Sequence, residues 1–233
     1  MKRVLITGGT KGIGLEVSKL FISNGYDVVV VARDFSVFPK ELLVKTKQVT
    51  FDLQEINKIP QLAREIGDID VLVNNAGVSG SFPYDKYPEN KKDMLIKINL
   101  EAPVALITQF SKGMVKRGKG RIVSLTSIAG EIGSSDIWYG ATKAGVINFT
   151  KSFARLLGEK GIVINCVAPS MVEGTGMFAD IPEERKQDQL KRVLTHEFVQ
   201  RKSVAETVYW LATQSPIYIN GTCIDINNGV LMR

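Results

Sequence analysis

The chain has 233 residues, 44% hydrophobic and 23% charged, a composition that excludes collagen, coiled coil and wholesale disorder. Its length suits one domain burying roughly 70% of its unfolded surface and leaves no room for a large second one. Thirty basic against 24 acidic residues give a charge of +6, a weak pointer to an anionic ligand and, without interleaved aromatics, no sign of a nucleic-acid binder.

Residues 3–7 read as a strand, and residues 13–24 as a helix with Ile13, Val17, Leu20 and Phe21 at helical spacing and Asn24-Gly25 ending it. Residues 28–32 are apolar on successive positions, as a strand buried on both faces should be. Further strands are expected at 48–51, 70–74, 121–126, 163–167 and 223–226, and helices at 60–66, 91–116, 139–157 and 203–213. The segment 33–49, with Phe35, Phe38 and Pro39, leaves space for only a reduced second helix. Strand and helix alternate throughout, which predicts an α/β fold: one parallel sheet, doubly wound, with helices on both faces. Ligands of such a sheet bind beyond the carboxyl ends of the strands.

Those strand ends carry the chemistry. After the first comes Thr7-Gly8-Gly9-Thr10-Lys11-Gly12-Ile13-Gly14, a Gly-rich turn entering a helix, the context that cradles a pyrophosphate. After the second comes Arg33, where an acidic residue would hold a ribose hydroxyl and an Arg suits a 2′-phosphate. With Lys11 nearby, NADP(H) is favoured over NAD(H), although Asp34 is placed to serve a hydroxyl. Asp52 can accept from an adenine amino group or cap the following helix. Asn74-Asn75-Ala76-Gly77 lets the chain pass close to a flat ring. Ser127 follows the fifth strand, and Tyr139 and Lys143, four apart, share one face of a helix. An ammonium beside a phenol favours the phenolate, which suits proton exchange with an alcohol or ketone.

No apolar run approaches the roughly 18 residues of a membrane span, and the apolar stretch after Lys2-Arg3 is too short for a signal peptide, so a cytoplasmic protein away from membranes is expected. Cys166 and Cys223, far apart and without Cys-x-x-Cys spacing, give no disulfide framework and no metal site. The basic run Lys112, Lys116, Arg117, Lys119 and Arg121 reads as a solvated helix end.

The Gly-rich string at 7–14, Asn-Asn-Ala-Gly at 74–77, Asn99, Ser127 and Tyr139-x-x-x-Lys143 together resemble the short-chain dehydrogenase/reductase family, in its compact single-domain, Rossmann-type branch, over essentially the whole chain. Gly120-Arg121-Ile122-Val123, Asn165-Cys166-Val167-Ala168-Pro169 and Ile219-Asn220-Gly221 resemble its 3-oxoacyl-[acyl carrier protein] reductases.

The resemblance implies that Tyr139 is the general acid in ketone reduction, that Ser127 holds the substrate oxygen, and that Lys143 lowers the Tyr139 pKa and holds the nicotinamide ribose. Asn99 would hold a water in a relay to solvent. Gly8, Thr10, Lys11, Gly12, Ile13, Gly14, Arg33, Asp52, Leu53, Asn75, Ala76, Gly77, Pro169, Val172 and Thr175, with Tyr139 and Lys143, would contact NADP(H). It also implies a homotetramer, a small-molecule or carrier-protein-bound carbonyl substrate, basic residues Lys160, Arg117 and Lys119 for an acidic carrier, and a lid over the substrate at 170–200.

The chain departs from that pattern in places. Ser127 and Tyr139 are one residue closer than usual, a count that Thr126 would restore. Ser170 stands where relatives have Gly, and Asn227-Asn228-Gly229 replaces an acidic-Gly-Gly string. Trp138 and Phe82 are candidates for the substrate wall or for core, and His196, alone on a polar segment, reads as a bystander. Another alcohol or ketone as substrate, and a non-catalytic nucleotide sensor on the same fold, are the competing functions.

Overall fold

Val28, Val29, Val30 and Val31 are at most 1% exposed, so this strand is covered on both faces and lies inside the sheet. A computed structural model describes residues 1–80 and 82–232. Its sheet has seven parallel strands: β1 (Arg3–Thr7), β2 (Asp27–Ala32), β3 (Thr46–Thr50), β4 (Val71–Asn74), β5 (Gly120–Leu125), β6 (Ile162–Pro169) and β7 (Cys223–Ile226). They run in the order β3-β2-β1-β4-β5-β6-β7. The order reverses between β1 and β4, and the cleft beyond their carboxyl ends is where such sheets bind ligands.

Two apolar layers sandwich the sheet. On one side α3 (Ile59–Ile66), α5 (Ala102–Lys116) and α7 (Ile137–Leu157) pack through Leu62, Leu106, Ile107 and Val146. On the other, α1 (Gly12–Ser23) and α10 (Arg201–Thr213) pack through Val17, Phe21, Val204 and Val208. The reduced second helix is α2, four residues at Lys40–Leu43. The single-domain, doubly wound α/β reading holds.

The stretch read as one helix over 91–116 is broken. It comprises α4 (Glu89–Ile96), a π-helical turn (Lys97–Glu101) and α5. Pro103 has no N–H to offer the Asn99 carbonyl four residues back. The Ala102 N–H instead reaches the Lys97 carbonyl, and the turn widens.

The basic run is only partly a solvated end. Arg121 donates to the Leu211 and Ser215 carbonyls at 2.8 and 2.7 Å, tying α10 to β5. Arg117 pairs with Asp68 at 2.8 Å.

Candidate active site

Gly8, in the turn after β1, and Gly12, which opens α1, have φ of +66° and +58°, a region that glycine enters without steric cost. Gly14 is needed for close approach: a Cβ there would lie 2.2 Å from the Gly8 carbonyl oxygen and 2.4 Å from Asn75 Nδ2. Asn75 is what draws the chain together. Its amide donates to the Thr7 and Gly8 carbonyls at 2.9 and 3.0 Å. The Asn75 and Ala76 N–H groups donate to Thr7 Oγ1, both at 3.1 Å. The Asn75 side chain thus braces the Gly turn against the end of β4. No side chain caps the first turn of α1, whose N–H groups stay available for an anion.

Every expected cofactor residue, Gly8 through Thr175, lines one cavity of about 740 Å³ that Ser127, Tyr139 and Lys143 also line; Asn99 does not. At its outer end Asp34 is engaged by the Ser36 N–H and hydroxyl at 2.8 and 2.6 Å, which hold its carboxyl below the usual range. Among the described residues Arg33 and Lys11 form no ion pair. Two unpaired cations with the neighbouring carboxylate occupied suit a phosphate better than a hydroxyl. Asp52 accepts from the Gln54 N–H at 3.0 Å, so it organises the turn ahead of α3 while facing the cavity.

At the inner end Ser127 is near enough to the Tyr139 phenol to favour its ionised form. Thr126, 3% exposed, donates instead to the Lys143 carbonyl at 2.7 Å, so its hydroxyl is committed to α7 and Ser127 keeps the cavity position. Between Ser127 and α7 the chain forms α6 (Ala129–Ile132) and turns at Gly133, whose φ is +85°. Lys143 Nζ donates to the Leu125 carbonyl at 2.9 Å and stands 5.6 Å from the Tyr139 ring centroid.

Burial pushes the Tyr139 phenol up, Ser127 opposes this, and the Asp136 carboxylate adds to the rise. Burial decides the direction of this shift, with the Lys143 ammonium standing over the Tyr139 ring.

Lys143, only 4% exposed, is itself lowered to about 8 by burial. Between that value and the ordinary lysine value of about 10.4 the unfolded chain holds a proton that the folded chain lacks, so stability rises with pH there. Wild type should gain on Lys143→Met in urea melts by about 1.4 kcal/mol per pH unit across that window. Parallel curves would mean that Lys143 titrates normally.

Asn99 sits in the π-helical turn, 1% exposed. Its side chain accepts from the Val78 N–H at 2.9 Å and donates to the Val78 carbonyl at 2.8 Å. A Cβ on Gly77 would lie 3.4 Å from both Asn99 Oδ1 and Lys143 Nζ, so Gly77 threads between them.

Thr175 caps α8 (Gly176–Ala179), accepting from the Phe178 N–H at 3.2 Å. It faces the Gly turn across the cleft, 3.6 Å from where a Gly12 Cβ would stand. Behind it, Arg185 and Gln189 of α9 (Glu183–Arg192) reach the cavity. These two, Met177 and Asp136 are cavity residues that the sequence reading missed.

Other flagged residues stand away from the cavity lining. Trp138 does not line the cavity; Lys92 of α4 stands over its ring at 5.4 Å. Phe82 does not line it either and packs edge-on against Tyr87 at 5.2 Å. His196 lies outside, 3.2 Å from the Leu190 carbonyl. Arg117, Lys119 and Lys160 stand at the starts of β5 and β6, about 20 Å of strand away from the cavity end of the sheet.

A doubly wound sheet whose cleft runs from a Gly turn with two unpaired cations to a Ser-Tyr-Lys cluster defines a dinucleotide-dependent oxidoreductase. The short chain dehydrogenase family model matches residues 2–186, and the chain belongs to that family. It is 32% identical over 243 residues to the 3-oxoacyl-[acyl-carrier-protein] reductase FabG of Staphylococcus aureus, covering 99% of this chain and 98% of that protein.

Among solved structures, the 3-oxoacyl-[acyl-carrier protein] reductase of Brucella melitensis superposes with a TM-score of 0.90 at 25% identity, over 100% of this chain and 92% of that one. ElxO with NADP bound superposes at 0.88 and 29% identity, over 98% of each chain. No helix among the described residues is long and apolar enough to cross a membrane.

Proposed function

We propose that this protein is an NADPH-dependent ketone reductase acting on 3-oxoacyl thioesters carried by an acyl carrier protein. The observation that carries the chemistry is the Ser127-Tyr139-Lys143 cluster closing the inner end of the same cavity that Arg33 and Lys11 flank at its mouth. The 32% identity to FabG supports the thioester. The Gly14 cradle, which a Cβ would fill, and the two unpaired cations fit NADP(H), which supplies the hydride when bound.

Ser127 and Tyr139 hold the substrate oxygen from two sides. As charge develops on that oxygen, Tyr139 donates its phenolic proton and Ser127 its hydrogen bond. Lys143, an ammonium with two donors beyond the one given to Leu125, stabilises the phenolate left behind and would hold the nicotinamide ribose. Asn99 serves the proton relay through its backbone carbonyl, which Pro103 cannot occupy, since its side chain is taken by Val78. Residues 170–200 act as the lid, with α8 and α9 excluding water over the reacting atoms.

Purified protein should oxidise NADPH with acetoacetyl thioester faster than with small ketones or sugars. Tight NADPH binding with no thioester turnover would move the substrate to another alcohol or ketone. Arg33→Ala should raise the NADPH KM by about 10–100-fold, the worth of a charged hydrogen bond, and leave the NADH KM unchanged. An equal effect on both cofactors would remove the 2′-phosphate contact.

A further inference from the structure

Among the described residues Asp136 is the only fully buried carboxylate, 4% exposed, and it lies in the cavity wall. It is the N-cap of α7, the helix that carries Tyr139 in its first turn. Its Oδ1 accepts from the Tyr139 backbone N–H at 3.1 Å and from the Tyr87 hydroxyl at 3.1 Å. Its Oδ2 accepts from the Gly80 N–H at 2.7 Å. Gly80 and Tyr87 belong to the loop that leaves β4 and flanks the cavity. That loop is tight at this point: a Cβ on Gly80 would lie 2.2 Å from the Tyr87 hydroxyl oxygen. One carboxylate thus receives donors from two segments about fifty residues apart in sequence.

A cap alone would need only the Tyr139 N–H, and an exposed Ser or Asn would serve. A buried charge is retained at a cost unless its donors compensate it. Here the donors are those that set the distance between the loop and the first turn of α7.

We propose that Asp136 is a positioning residue, clamping Gly80 and Tyr87 to the first turn of α7 so that Tyr139 is held against the substrate carbonyl. The proposal rests on the reading of Tyr139 as proton donor. The carboxylate also acts through charge, since it opposes ionisation of the phenol.

Among the described residues, the following groups face this pair from the packed elements. Ser127 comes from beyond β5 and Lys143 from α7. Tyr87 of the loop is pushed up to about 12 by burial and by Asp136. Lys92 of α4 stands over Trp138, Cys166 of β6 faces Lys143, and Glu131 of α6 is felt at Cys166. Of these, Asp136 is the anion whose influence reaches Tyr139.

Asp136→Asn keeps a good cap and an acceptor for Tyr139 but removes the charge and one acceptor from the clamp. It should raise the KM for the keto substrate and lower kcat/KM by about 10-fold, the loss of one to two net hydrogen bonds. The basic limb of kcat/KM for reduction, where Tyr139 loses its proton, should move to lower pH. Tyr87→Phe keeps the charge and removes one donor, so it should raise the same KM with the pH limb in place.

A purely structural role would lower the Tm of both variants and move neither KM nor limb, and that result would overturn the proposal. If Asp136→Asn does not fold, an unchanged KM in Tyr87→Phe overturns it alone. Tyr139→Phe run beside them separates the two readings. Full activity there removes the proton donor, whereas an inactive Tyr139→Phe with a wild-type Asp136→Asn removes only the clamp.

Discussion

Tyr139→Phe is expected to lower kcat for ketone reduction by about 10²–10⁴-fold, the usual worth of a positioned proton donor. The substitution deletes one oxygen and leaves the ring where it packs beneath the Lys143 ammonium. Lys143 keeps its bond to the Leu125 carbonyl, and the Gly turn is untouched. NADPH binding, followed by fluorescence titration, should therefore weaken by no more than about tenfold, the net worth of the one hydrogen bond that Tyr139 would give the cofactor.

The pH dependence has a definite sign. Burial raises the phenol above its ordinary value, so Tyr139 stays protonated through neutral pH, the form that reduction needs. Reduction should fall only on the alkaline side, while oxidation of the alcohol should climb there, because the phenolate is then the base. Residual activity in Tyr139→Phe close to wild type would place the proton donor elsewhere, and the cavity offers Ser127 as the first alternative.

Local features of the chain were legible and distant ones were not. β2 could be read because four successive Val residues need cover on both faces. The Gly turn and the Ser-Tyr-Lys cluster could be read because their residues lie within one strand-turn-helix each. The break in the 91–116 helix escaped because periodicity hardly registers one extra residue in a turn. Its signal was Pro103, a proline inside a helical pattern with a carbonyl left over four residues before it.

Trp138, left open between substrate wall and core, stays off the cavity for a geometric reason. Neighbours on a helix point about 100° apart, so the residue before Tyr139 cannot share its face. Asp136 escaped because its meaning lies in Gly80 and Tyr87, 56 and 49 residues upstream. Nothing in the local sequence distinguishes a clamp from an ordinary helix cap. The basic residues at 117, 119 and 160 illustrate the converse: a charge can be read at once, but which end of a strand carries it decides whether it faces the cleft.

Gly14→Ala should abolish measurable cofactor binding, raising the NADPH Kd by at least about 100-fold, or roughly 2.7 kcal/mol. The added Cβ would stand 2.2 Å from the Gly8 carbonyl oxygen, which is backbone and cannot rotate away. Either α1 must slide outward or the turn must lift. Lifting it would strain Gly8, already at φ +66°, and pull its carbonyl from the Asn75 amide. Sliding α1 would disturb Val17 and Phe21, both fully buried against the sheet. The first route damages the anion cradle, and the second costs about 1–3 kcal/mol of stability through overpacking. A thermal melt with and without NADPH distinguishes them, since a lifted turn loses the cofactor's stabilisation with little change in the unliganded Tm, whereas a displaced helix lowers both. A Kd within threefold of wild type, with an unchanged Tm, would show that the turn accommodates a methyl group and that its glycines do not set the approach of the pyrophosphate.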